Sequence, residues 1–194
     1  MRGLQRIMAA GLTALAVVTA TQVSSGTAAA AHPHGPRPVL LWATSTDVPV
    51  GSAAFVYDNR LVPPGAELGV VSQSKRRTRT LLAVTGLLPW RAYGAHLHVN
   101  PCGALPAAAG PHYQQVVDPV QPSTNPAFAN AGNEVWLDLL TDARGSARSF
   151  SVNPWRYHTP PRSLVLHASA TATHPGHAGT AGARVACLTL TAAP

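Results

Sequence analysis

Charged residues are sparse in this chain of 194 residues, 11% against 46% apolar ones. That composition excludes a disordered polymer, which needs a surplus of charge and a shortage of residues that bury. Cysteine is nearly absent: Cys102 and Cys187 are the only two, so at most one internal disulfide can form. Uninterrupted windows of helical length are also missing, because 18 Pro and 16 Gly punctuate the chain. Such punctuation excludes a long helical bundle and suits turns between short strands. The apolar run at residues 7–20 is too short for a membrane span, which needs roughly twenty apolar residues.

That run does fit a secretory signal. Arg2 and Arg6 precede it, and the small residues 28–31 follow it, so cleavage is expected between Ala29 and Ala31. There is no twin arginine and no cysteine just after the run, which argues against the twin-arginine route and a lipid anchor. The expected organisation is a signal at 1–31, a short Pro-rich lead at 32–38 and one domain at 39–194. The expected location is extracellular or in the cell-envelope space, with no membrane span left after cleavage. In an oxidising compartment Cys102 and Cys187 are most simply one disulfide.

Removal of Arg2 and Arg6 with the signal reduces the formal charge from +7 to +5. Part of the remaining excess is the run Ser74-Lys75-Arg76-Arg77-Thr78-Arg79. It reads as a solvated hairpin tip, and nucleic acid is not an expected partner.

From residue 39 the sequence predicts strands at 39–46, 53–59, 68–72, 80–85, 93–99, 134–141, 147–152, 162–168 and 184–191, each bounded by Gly, Pro, Asn or Asp. Short apolar runs without a helical period predict an all-β antiparallel sandwich or barrel. The stretch 141–146, Thr-Asp-Ala-Arg-Gly-Ser, predicts a hairpin turn. Residues 100–133 and 169–183 break this rhythm as two long loops, the kind of segment on which sites are built.

Histidine is the residue in excess. The chain has nine, and all of them follow the signal. His96 and His98 stand two apart in a predicted strand and so share one face. His167 ends the run Leu164-Val165-Leu166-His167, and His112 sits in Gly110-Pro111-His112-Tyr113. Four imidazoles from three segments suit copper, zinc or another nitrogen-loving metal, with copper favoured where redox work is done.

In order, Gly94-Ala95-His96-Leu97-His98, Cys102, Gly110-Pro111-His112-Tyr113, the run ending at His167, and Gly179-Thr180-Ala181-Gly182-Ala183-Arg184-Val185-Ala186-Cys187 resemble the motifs of copper–zinc superoxide dismutases. The resemblance covers roughly residues 80–191 and points to a secreted member of bacterial type. It implies a Greek-key β-sandwich of about eight strands with two long functional loops. It also implies that His96, His98, His112 and His167 bind copper, that Arg184 guides the superoxide anion, and that Cys102 pairs with Cys187. His112 and Arg184 are thereby the expected catalytic residues.

The departures matter as much. The family's zinc site draws two more histidines and an aspartate from the loop after the bridging histidine, yet residues 113–141 hold no histidine and only Asp118, Glu134 and Asp138 as acids. A zinc site wants about four protein ligands, so zinc is not expected, and the resemblance is closest to the copper-only branch. Glu134 is the candidate to orient His112 in place of the missing metal. The loop after His167 also lacks the aspartate that links the two metal sites in the family, and its His174 and His177 read as solvent-facing. The implied activity is conversion of superoxide to dioxygen and hydrogen peroxide. The alternative is a non-catalytic extracellular copper-binding or buffering protein on the same fold. A further reading starts from His32, which cleavage after Ala31 would make an N-terminal copper clasp of the kind used by polysaccharide oxygenases. A second copy of the chain is an admissible partner.

Overall fold

The computed structural model describes residues 39–45 and 54–192. The expected signal segment, the Pro-rich lead and His32 lie outside these residues. Within them, β1 (Val39–Ser45), β3 (Glu67–Ser74), β4 (Thr78–Thr85), β7 (Ala147–Asn153) and β10 (Thr191–Ala192) build one sheet in the order β10-β1-β3-β4-β7. The second sheet, in the order β2-β9-β8-β5-β6, is made of β2 (Ala54–Val56), β5 (Ala92–His98), β6 (Leu139–Leu140), β8 (Ser163–His167) and β9 (Arg184–Thr189). Every pairing is antiparallel. The architecture is the all-β two-sheet one that the turn spacing predicts. Only β6 and β10 have as few as two residues, which leaves eight longer strands.

The two sheets bury their strands differently, and the difference locates the site. In β3 the buried residues Leu68, Val70, Ser72 and Ser74 alternate with more exposed ones, as expected where one face meets the core and the other meets water. Lys75, Arg76 and Arg77 lie exposed at the β3–β4 tip, as the sequence predicts. In β5, by contrast, residues 93–98 are all buried, and in β8 all five are. Tyr93, Ala95 and Leu97 enter the main core with Leu164 and Leu166. His96 and His98, on the other face, meet Thr171 and Gly110 of the long loops, with Trp136 also against His96.

Three expectations need correction. Residues 134–141 do not form one strand. Leu137 N–H reaches Ala95 O and Leu97 N–H reaches Val135 O, but the Ala95 amide points to the Asp138 carboxylate instead of a main-chain carbonyl. A side chain has taken a ladder partner, so only isolated bridges and β6 remain. Residues 141–146 do turn tightly, with Asp142 Oδ1 accepting from the Arg144 and Ser146 amides. The turn is not a hairpin, because it carries the chain from β6 in one sheet to β7 in the other. Residues 184–191 likewise change sheets: Leu190 N–H bonds Arg162 O between β9 and β10. One turn of 3₁₀ helix, Pro106–Ala109, lies in the first long loop and had no signal in the sequence pattern.

Candidate metal centre

Strand period places His96 and His98 on one face of β5, and the β5–β8 register brings His167 opposite Gly94 beside them. His112 arrives from the loop, bridging to His98. One ligand atom from each of these four histidines lies within 4.8 Å of the others. A metal–nitrogen bond is about 2 Å, so nitrogens on opposite sides of one ion stand about 4 Å apart and the quartet needs only small shifts to close. Among the described residues, this is the one group of three or more His, Cys, Asp or Glu side chains placed to hold a metal ion.

Each ring is held from outside by one nitrogen. His98 Nδ1 bonds Gly110 O at 2.9 Å, His167 Nδ1 faces Gly182 O at 3.3 Å, and His112 Nδ1 bonds Glu134 Oε2 at 2.8 Å. His96 is reversed: its Nε2 meets Thr171 Oγ1 at 2.6 Å. His96 Nδ1, His98 Nε2 and His167 Nε2 are then buried without a hydrogen-bond partner. Buried polar atoms are rarely left unpaired, and three of them aimed at one point fit a metal ion.

Burial pulls His96 and His98 well below the ordinary imidazole range, with His112 the next cause for each. His167 is drawn down to about 4, again by burial first and His112 second. All three rings are therefore neutral at pH 7 and keep an inward lone pair. The unfolded chain takes up protons on these rings near pH 6.5. The folded metal-free protein does not until about pH 4 at His167, so the unfolded state binds more protons between those values and stability falls as pH falls through them. At ~1.4 kcal/mol per unit, His167 alone contributes roughly 3 kcal/mol across the window. The urea midpoint of metal-free protein is expected to drop markedly between pH 7 and pH 4. A constant midpoint would show that the rings are not held neutral by the fold.

Glu134 is buried at 1% exposure, a rare position for a carboxylate without partners. It accepts from Gln114 Nε2 at 2.8 Å, from Trp136 Nε1 at 2.6 Å and from His112 Nδ1 at 2.8 Å. Glu134, the residue expected to orient His112, thus lies in hydrogen-bond contact with that ring. Gln114 and Trp136 carried no signal of their own.

Arg184 stands opposite His167 across β8 and β9, beside a register shift between Leu166 and His167. Its guanidinium donates to Pro106 O at 2.8 Å and Gly110 O at 2.7 Å. Gly110 O thus serves both the arginine and His98. Gly110 itself has φ +70, and a Cβ there would fall 2.7 Å from Asn100 Nδ2, so glycine is required. The Cys102–Cys187 disulfide forms as expected and fastens the same loop to β9. His112, His167, Glu134 and Arg184 line a cavity of about 220 Å³ with Gly179 and Gly182 on its loop wall. His174 and His177 are exposed, as expected, and take no part in the quartet.

Asp138 was missed as a site residue. It gains its place through Thr171, whose hydroxyl donates to Asp138 Oδ1 at 2.7 Å. The loop after His167 holds no acid of its own, and Asp138 comes to Thr171 from the segment before β6, so spacing along the loop could not have found it.

No protein-family model matches the chain, and a search of curated proteins also finds no match.

Proposed function

We propose that this protein is an exported copper-dependent superoxide dismutase of the zinc-lacking kind. The observation that carries the reading is the set of three orphaned ring nitrogens, with His112 beside them, next to a cavity lined by His112, His167 and a fixed Arg184. Copper held by His96, His98, His112 and His167 would supply the one-electron couple by which one superoxide is oxidised to dioxygen and another, with two protons, is reduced to hydrogen peroxide.

The chain's own residues do the rest. Arg184 offers positive charge to a small anion, and its two carbonyl acceptors stop it from swinging away. Glu134 fixes His112 with Nδ1 outward, leaving Nε2 to face the centre. In the resembling family the residue at His112 also bridges to zinc, and here its outer nitrogen is occupied by Glu134, which supports a copper-only site. Protons for peroxide would then come from water. A cavity of about 220 Å³ has room for several molecules at ~30 Å³ each. Export is supported by the disulfide, and no helix among the described residues is long and apolar enough to cross a membrane. Arg184 favours catalysis over copper storage, since a store has no anion to attract.

The test is elemental analysis of the purified protein together with superoxide removal per bound copper. About one copper per chain without zinc is expected, with a second-order rate approaching the diffusional ceiling of roughly 10⁸ to 10⁹ M⁻¹s⁻¹. The rate should fall as salt rises. Copper-loaded protein that removes superoxide no faster than metal-free protein would sink the proposal and leave copper buffering in its place.

A further inference from the structure

We propose that Thr171 and Asp138 form a positioning relay that sets His96 for the metal and fastens the 168–183 loop to the centre, so that metal binding and loop order are coupled. The proposal rests on the metal reading above and does not depend on which reaction the metal performs.

The direction of the hydrogen bonds follows from counting hydrogens. A threonine hydroxyl has one, and Thr171 Oγ1 gives it to Asp138 Oδ1 at 2.7 Å. Toward His96 the hydroxyl can only accept, so the proton of the 2.6 Å contact belongs to His96 Nε2. That choice leaves His96 Nδ1 as the inward lone pair, the one Nδ1 among four inward nitrogens. Asp138 does not reach the ring by itself: Oδ1 lies 3.6 Å from His96 Nε2, beyond hydrogen-bond length. Without the hydroxyl, the Nε2 proton of a ring with no exposed surface would lose its 2.6 Å partner, a costly arrangement.

The same carboxylate grips the loop backbone. Asp138 Oδ2 accepts the Thr171 amide at 2.7 Å, so both donors of Thr171 end on one side chain. Close approach of this loop to β5 is permitted by Gly94. A Cβ at that position would lie 2.6 Å from Ala181 Cβ and 2.8 Å from Ser169 O, and the Gly94 amide already bonds Ser169 O at 2.7 Å. Further along, the loop presents Gly182 O to His167 Nδ1, and Ala172 and Thr180 bond across it. One loop therefore holds two of the four rings, His96 through a hydroxyl and His167 through a carbonyl. An ion that fixes those rings must also steady the loop, and a steadied loop must favour the ion, because the coupling is reciprocal.

The experiment compares wild type with Thr171→Val, which keeps the shape and removes the hydroxyl, and with Thr171→Ser, which keeps the hydroxyl. Three readouts apply: Cu(II) affinity by chelator competition, the electron paramagnetic resonance spectrum of bound Cu(II), and amide hydrogen exchange over residues 172–180 with and without Cu(II). Thr171→Val is expected to bind copper about 10- to 100-fold more weakly with an altered hyperfine pattern. Copper should slow exchange in the loop of wild type and of Thr171→Ser, and should no longer do so in Thr171→Val. A folded Thr171→Val protein with wild-type affinity and spectrum would overturn the relay, as would wild-type loop exchange that ignores copper. If the valine variant does not fold, Asp138→Asn and the wild-type exchange measurement decide the matter by the same criteria. Wild type that binds copper yet leaves superoxide untouched sinks the proposed activity and leaves the relay standing. Wild type that takes up no copper sinks both.

Discussion

Replacing Cys102 and Cys187 together by serine is expected to lower the free energy of unfolding by about 4 to 5 kcal/mol. The bridge spans a sequence separation of 85, and closing a loop of that size removes about this much conformational freedom from the unfolded chain. Cys187 packs with Val165 and Ala109 at 2% exposure, so a serine hydroxyl there adds a desolvation cost. The loss should also reach the site. The loop that carries Cys102 is tied to β9 by the disulfide, by the Cys102 amide on Thr189 Oγ1 and by Arg184 on Pro106 O and Gly110 O. Once the covalent tie is cut, Gly110 O is less firmly placed for His98, and metal affinity should fall with stability. Urea denaturation and chelator competition on the same preparation check both. An unfolding free energy within about 1 kcal/mol of wild type would mean that the other ties hold the loop unaided.

Charge reversal at Arg184 is the second large effect. On the proposed activity, Arg184→Glu is expected to lower the second-order rate per bound copper by about 100-fold, within the 10- to 1000-fold range that local charge commonly contributes to the capture of small ions. The sign of the salt dependence should reverse as well. Wild type should slow as ionic strength rises, whereas the glutamate variant should speed up as its repulsion is screened. Pro106 O and Gly110 O would lose the guanidinium, leaving Gly110 O with His98 Nδ1, so Arg184→Ala is the control for displacement of the loop. It should fall between the two rates and show little response to salt. Equal rates in wild type and Arg184→Glu would remove Arg184 from the mechanism.

How much of this was legible follows from the range of each interaction. The pairing of His96 with His98 on one face needed only the two-residue period of a strand. Glu134 could be chosen because it was one of only three acids in the segment after His112. Asp138 belonged to the same trio and was passed over, since its link to His96 runs through Thr171, 33 residues away along the chain. The segment at 134–141 looked like a strand because it is a short apolar run, and Val135, Leu137 and Leu139 do bury at alternate positions. Its ladder breaks where the Asp138 side chain takes the Ala95 amide, a competition that no propensity expresses.

Read alone, the chain was enough to establish an all-β domain, a single candidate disulfide, two long loops and a list of histidines fit for a metal. These follow from local rules: turn residues, strand period and the count of each residue type. It took packing to show that His112 and His167 meet the β5 pair, that Gly110 O is shared by His98 and Arg184, and that a threonine and an aspartate from different segments hold His96. Those facts depend on how loops separated by tens of residues settle over the buried face of one sheet, and short-range patterning along a chain carries no record of that distance.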